Sequence, residues 1–139
     1  MKIYPINQNY LFAKAYKNGI RVSSRSLTLY ALKNKASGGG RIAPGGERVN
    51  RLGISASKKI GGAVERNRAK RVVREAYRQI DGEYALKKGW LIVVSARTPA
   101  TVLKMQEVRR DLKYCLFKAE LIDGGRPERG SGAENTPSL

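Results

Sequence analysis

The 139-residue sequence contains no histidine and one cysteine, Cys115. Without histidine, acid–base catalysis of the usual ribonuclease kind has no obvious agent. A lone cysteine excludes an internal disulfide and a cysteine-cluster metal site, and leaves Cys115 the role of a small, reduced core residue. Acids are scarce too, eleven against 28 Lys plus Arg. Glu120, Asp123, Glu128 and Glu134 lie at or beyond the end of the last predicted helix, and the others are scattered, without the close carboxylate set of a two-metal nuclease. Long apolar runs are missing as well. The longest, "WLIVV" at residues 90 to 94, is far shorter than the roughly 20 residues of a membrane-spanning helix, so no membrane partner is expected. In "MKIYPINQNYLF", Pro5 and polar residues stand where a signal peptide needs a continuous apolar stretch, which predicts a cytoplasmic protein.

What is present is positive charge. The formal net charge of +17 implies self-repulsion that a polyanionic partner would relieve, nucleic acid first. With 41% apolar residues the chain can bury one core, predicting a single domain over residues 1–122. The segment 123–139, "DGGRPERGSGAENTPSL", lacks periodicity and predicts a disordered tail. Asn7 or Asn9 can cap a helix ending near Asn18, with Gly19 as its stop. Residues 20–32 alternate, placing Leu27, Leu29 and Ala31 on one side and Thr28, Tyr30 and Leu32 on the other, as one strand. Residues 35–47 are Gly-rich and predict a hairpin loop, with residues 48–59 as the returning strand. That loop lacks the Gly-Lys-Ser/Thr ending of a nucleotide-binding loop. The apolar run "GWLIVVSAR" predicts a central strand, and Val108, Leu112, Cys115, Leu116 and Ala119 mark the buried face of a helix from Thr101 to about Leu121. The order of helices and strands predicts an α/β (α+β) two-layer sandwich, a mixed sheet with helices packed on it.

The stretch "GGAVERNRAKRVVREAYRQI", residues 61–80, carries the sharpest signal. At about 100° per residue, Arg66, Lys70, Arg74, Asn67, Arg78, Arg71 and Arg68 fall between about 0 and 200°. Ala69, Val72, Val73, Ala76, Tyr77 and Ile80 fall between about 240 and 20°, so the two sets hardly overlap. The apolar arc suffices to seat the helix on a sheet; the basic arc still needs an explanation. Like charges at spacing four, Arg66, Lys70 and Arg74, are each unfavourable by about 0.2–0.5 kcal/mol, and only Glu65 and Glu75 oppose them. Phosphates remove that repulsion, and the planar guanidinium binds them through paired hydrogen bonds. Lys58 and Lys59 precede the helix, and Gly61 and Gly62 are expected to let a phosphate reach its first free N–H groups.

The run "GISASKKIGGAVERNRAKRVVREAYR", residues 53–78, resembles the signature of the bacterial ribonuclease P protein family, whose arginine-asparagine-arginine motif matches Arg66, Asn67 and Arg68. Lys58, Lys59, Gly61, Val64, Lys70, Arg71 and Arg74 agree in spacing, and the likeness spans roughly residues 7–121. Two departures are the long Gly-rich stretch before Arg48 and Gly62, where the family commonly carries a side chain. The resemblance implies a left-handed βαβ crossover, against the right-handed rule that holds in about 98% of cases. It also implies a protein subunit that joins a catalytic RNA to remove the 5′ leader of precursor tRNA by Mg²⁺-dependent endonucleolytic cleavage. The catalytic groups and Mg²⁺ then belong mainly to the RNA, and no small-molecule cofactor is expected.

By the same resemblance, Lys58, Lys59, Arg66, Asn67, Arg68, Lys70, Arg71, Arg74 and Arg78 face the catalytic RNA. Phe12, Tyr16 and Tyr30 line a leader cleft, with Lys14 and Lys17 at its rim. On burial tendency alone these rings read as ordinary core; the resemblance turns the reading towards base stacking, which tolerates variable sequence. A structural RNA-binding protein with no catalytic partner, such as a ribosomal protein, is the alternative class.

Overall fold

The computed structural model describes residues 4–6, 9–33, 49–84 and 86–122. The expected Gly-rich loop and C-terminal tail fall outside them. In chain order the elements are β1 (Tyr4–Pro5), α1 (Asn9–Asn18), β2 (Ile20–Ser23), β3 (Leu27–Lys33), β4 (Arg51–Ser55), α2 (Ala63–Glu83), β5 (Trp90–Ala96) and α3 (Met105–Lys118). Single 3₁₀ turns at Lys58–Ile60 and Thr98–Thr101 lead into α2 and α3. All five strands join one mixed sheet in the order β1-β4-β5-β3-β2.

Strand β5 is central, as its continuous apolar run predicts. It runs antiparallel to β3 and parallel to β4, and both its faces are covered. On one face Ile92 and Val94 join Leu27, Leu29 and Ala31 under α2 and α3, where Val73, Ile80, Leu112 and Leu116 are fully buried. Each such branched side chain contributes about 1.5–3 kcal/mol by leaving water. Cys115 lies in this core with its thiol directed at the Val22 carbonyl, and burial pushes its pKa up to about 12, which makes it unreactive. On the other face Leu91 and Val93 pack with Ile6, Leu11 and Ala15, so α1 adds a partial layer opposite α2 and α3.

The structure corrects three expectations. Residues 20–32 are not one strand: the chain folds back after Ser23 into a β2–β3 hairpin. The backbone N–H and hydroxyl of Ser24 both reach the Leu27 carbonyl, at 2.8 and 2.9 Å, and the backbone N–H and hydroxyl of Ser26 both donate to buried Asp111 on α3. The serines are turn formers: the Leu27 carbonyl satisfies Ser24, and the Asp111 carboxylate satisfies Ser26. Nor does β4 return beside β3. It pairs in parallel with β5, which separates it from β3, because α2 carries the chain across the sheet as a βαβ crossover. Thr101 also falls outside the last helix, which starts at Met105 after the 3₁₀ turn containing Pro99.

Candidate nucleic-acid interface

Helix α2 buries Ala69, Val73, Ala76, Tyr77 and Ile80, the arc its apolar spacing defines. Asn67, Arg71, Arg74 and Arg78 are exposed on the opposite arc, with Arg66, Arg68 and Lys70 half-buried beside them. Lys58 and Lys59 are exposed on the preceding 3₁₀ turn. The side chains of Lys58, Lys59, Lys70, Arg71 and Arg74 have no partner among the described residues. Among the described residues Arg66 makes only a long 3.4 Å bond to the Gly62 carbonyl. Arg78 pairs with Glu75 at 2.7 Å, an exposed contact of the kind worth at most about 1 kcal/mol.

Two parts of this surface differ from expectation. At the helix start Glu65 folds back and accepts the Gly62 N–H at 3.0 Å, which places a carboxylate at the cap. A Cβ at Gly61, whose φ is 147°, would lie 2.8 Å from the Glu65 Cβ, so the glycine lets this cap close. Arg68 turns inward. Its Nη1 donates to the carbonyls of Ala100 and Thr101, at 3.2 and 3.0 Å, and its Nη2 to that of Leu103, at 3.2 Å. The guanidinium thus latches the segment between β5 and α3 onto α2, a role helical spacing alone does not reveal.

The second surface lies where α1 crosses the sheet. Phe12 rests on Gly53 of β4, where a Cβ would come within 2.6 Å of the ring; the glycine makes room for the aromatic. Tyr16 meets Tyr30 of β3 edge to face, with centroids 4.8 Å apart, and sits 6.4 Å from Phe12. Its hydroxyl bonds Ser55 of β4 at 2.9 Å. Phe12 and Tyr30 are half-buried against the α1 core, while Tyr16 is 42% exposed. The rings are therefore core on one side and open on the other, an arrangement that combines both sequence readings. Lys14 and Lys17 are exposed, but at about 100° per residue Lys14 lies on the flank of α1 away from Phe12 and Tyr16. Lys17 lies nearer, about 100° round the helix from Tyr16.

A cavity of about 180 Å³ connects the two surfaces, lined by Ile6, Phe12, Leu52 and Gly53 together with Lys70 and Arg74 of α2. The cleft also has a hydroxyl floor that the sequence reading did not single out. Ser23, Thr28, Ser95 and Ser55 are register partners on four adjacent strands, and period-two alternation in "IRVS", "LTLY" and "VVSA" was the available signal. No group of three or more His, Cys, Asp or Glu that could hold a metal ion occurs among the described residues. No helix among them is long and apolar enough to cross a membrane.

Fold and site together define a small, strongly basic α+β protein with an aromatic cleft between its first helix and the middle of its sheet. The family model for ribonuclease P matches residues 2–120. A ribonuclease P protein component of Dehalococcoides mccartyi is 41% identical over 94 residues, covering 68% of this chain and 75% of that one. One from Shouchella clausii is 37% identical over 117 residues, covering 84% and 86%. The ribonuclease P protein structure from Staphylococcus aureus superposes with a TM-score of 0.68 at 31% identity, covering 88% of this chain and all of that one. The chain belongs to the ribonuclease P protein family.

Proposed function

We propose that this chain binds the catalytic RNA of ribonuclease P through the outer arc of α2 and holds the 5′ leader of precursor tRNA in the cleft beneath α1. The observation that carries this reading is the segregation on α2: Lys70, Arg71 and Arg74 have no partner among the described residues and lie opposite a fully buried arc. Unpaired cations at helical spacing are unfavourable until phosphates neutralise them, which releases counterions and drives binding. Tyr16, Tyr30 and Phe12 offer ring faces to unpaired bases without demanding a sequence. Arg68 acts within the protein, fixing the approach to α3, and supports the RNA-binding arc indirectly.

The Mg²⁺ that the cleavage requires has no suitable carboxylate set among the described residues and is assigned to the RNA. The chain contributes no catalytic group; it neutralises charge and positions the leader, and the work is cytoplasmic. Reconstitution tests this. Purified protein should leave precursor tRNA intact at every Mg²⁺ concentration, and adding the cognate RNA should give cleavage at the mature 5′ end. Cleavage by RNA-free protein, after removal of contaminating nucleases, sinks the reading. Co-purified RNA separates the alternative class: one large RNA marks a ribonuclease P subunit, ribosomal RNA a structural protein.

A further inference from the structure

We infer that the hydroxyl row Ser23, Thr28, Ser95 and Ser55 reads ribose 2′-hydroxyls, making the cleft selective for an RNA strand over a DNA strand of the same sequence. The inference rests on the proposal that a leader strand occupies this cleft. Registers set the row: Ser23 pairs with Thr28, Thr28 with Ser95, and Ser95 with Ser55. In strands, alternate residues share a face, and Val93, two residues before Ser95, packs beneath α1. The row therefore lies on the α1 side, directly beyond the Tyr30–Val93–Gly53 row that carries the aromatic rings.

Three features distinguish this row from an ordinary solvated sheet face. All four side chains are short hydroxyls, where an open face usually mixes long charged residues among them. They are also partly enclosed: Ser23, Ser55 and Ser95 are half-buried and Thr28 is buried. Finally, their hydrogen bonding is incomplete. Ser55 bonds Tyr16, Ser23 and Thr28 approach at only 3.4 Å, and the hydroxyl of Ser95 has no partner among the described residues. Ser95 also interrupts an otherwise apolar β5 at the centre of the sheet.

A serine hydroxyl both donates and accepts, and so does a ribose 2′-hydroxyl; a deoxyribose offers neither. Phosphates would instead call for the cations that the row lacks. Four strands spaced about 4.8 Å apart span about 14 Å, room for about four stacked nucleotides at 3.4 Å each. Rings that ignore base identity beside hydroxyls that detect the sugar suit a strand whose sequence varies but whose backbone is always RNA.

The test uses the holoenzyme reconstituted with its catalytic RNA and three ligands: precursor tRNA with a ribo leader, the same precursor with a 2′-deoxy leader, and mature tRNA. Wild-type holoenzyme should bind the ribo leader about threefold to tenfold more tightly than the deoxy leader, the worth of about one net hydrogen bond. Ser95→Ala should abolish that ratio, and Ser95→Thr should retain it. A wild-type enzyme that binds both leaders equally, yet still prefers either precursor to mature tRNA, overturns the hydroxyl proposal alone; the wild-type comparison stands even if Ser95→Ala misfolds. A folded Ser95→Ala variant that keeps the ratio, or that loses affinity for the catalytic RNA itself, overturns it too. No wild-type preference for precursor over mature tRNA would remove the leader reading beneath it.

Discussion

The outer arc of α2 and the cleft under α1 are built on opposite plans. One helix supplies nearly all of the arc, through exposed cations that make few contacts with the protein. The cleft takes Phe12 and Tyr16 from α1, Tyr30 from β3, and Gly53 and Ser55 from β4, and these uncharged groups touch one another. Charge acts over a distance and is screened by salt, whereas stacking acts only in contact and is not. The arc should therefore tolerate small displacements and respond to ionic strength. The cleft should behave in the reverse way, because shifting one element disassembles it. The cavity shared by Phe12, Lys70 and Arg74 is where the two plans meet.

The largest expected effect comes from the arc. Replacing Arg66, Lys70 and Arg74 together by Ala should flatten the salt dependence of catalytic-RNA binding by about one unit of log–log slope per lost phosphate contact. Titrations across a salt series measure it, and an unchanged slope would erase the contrast. Next come Phe12→Ala and Tyr16→Ala, each expected to cost about 1–3 kcal/mol of the preference for precursor over mature tRNA while the slope stays put. If either variant loses both RNAs equally or unfolds, the rings serve only as core.

Arg68 sharpens the comparison, since its sequence position belongs to the arc and its contacts to the scaffold. Arg68→Ala should lower stability in urea by about 1–3 kcal/mol, because the carbonyls of Ala100, Thr101 and Leu103 lose a charged donor. Arg68→Lys, which keeps the charge but cannot span three carbonyls, should recover little of that stability. Full recovery by lysine would return Arg68 to the phosphate-binding set. The smallest effect concerns pH. Burial raises the pKa of Asp111 above 3.8, and the Ser26 hydrogen bonds, followed by the charges of Arg25 and Arg110, only partly offset it. The fold thus favours the protonated carboxyl, a contribution present below the unfolded-state pKa and lost as pH rises through the folded one. Measured against Asp111→Asn, wild-type stability should decline as pH rises through and above the ordinary carboxylate range, about 4; a flat difference refutes the shift.

Residue order alone determined what repeats along a single element. The two arcs of α2, the buried face of α3, the apolar run of β5 and the spacing-four pair Phe12 and Tyr16 were all legible, because helical and strand periods convert position directly into direction. The arginine-asparagine-arginine motif added the family. Only the tertiary structure decided which strands are neighbours, since hydrogen-bonded ladders join residues far apart in the chain. It separated β4 from β3, bent residues 20–32 at Ser24 and at Ser26, which Asp111 holds, and aligned four hydroxyls on four strands. It likewise decided how each polar group is used. Spacing placed Arg68 and the start of α2 within reach of phosphate, but unpaired backbone carbonyls claimed the first and the Glu65 carboxylate took the Gly62 N–H at the second. A side chain's period gives the direction it leaves the helix; which acceptors lie within 3 Å of its end depends on every other element that packs there.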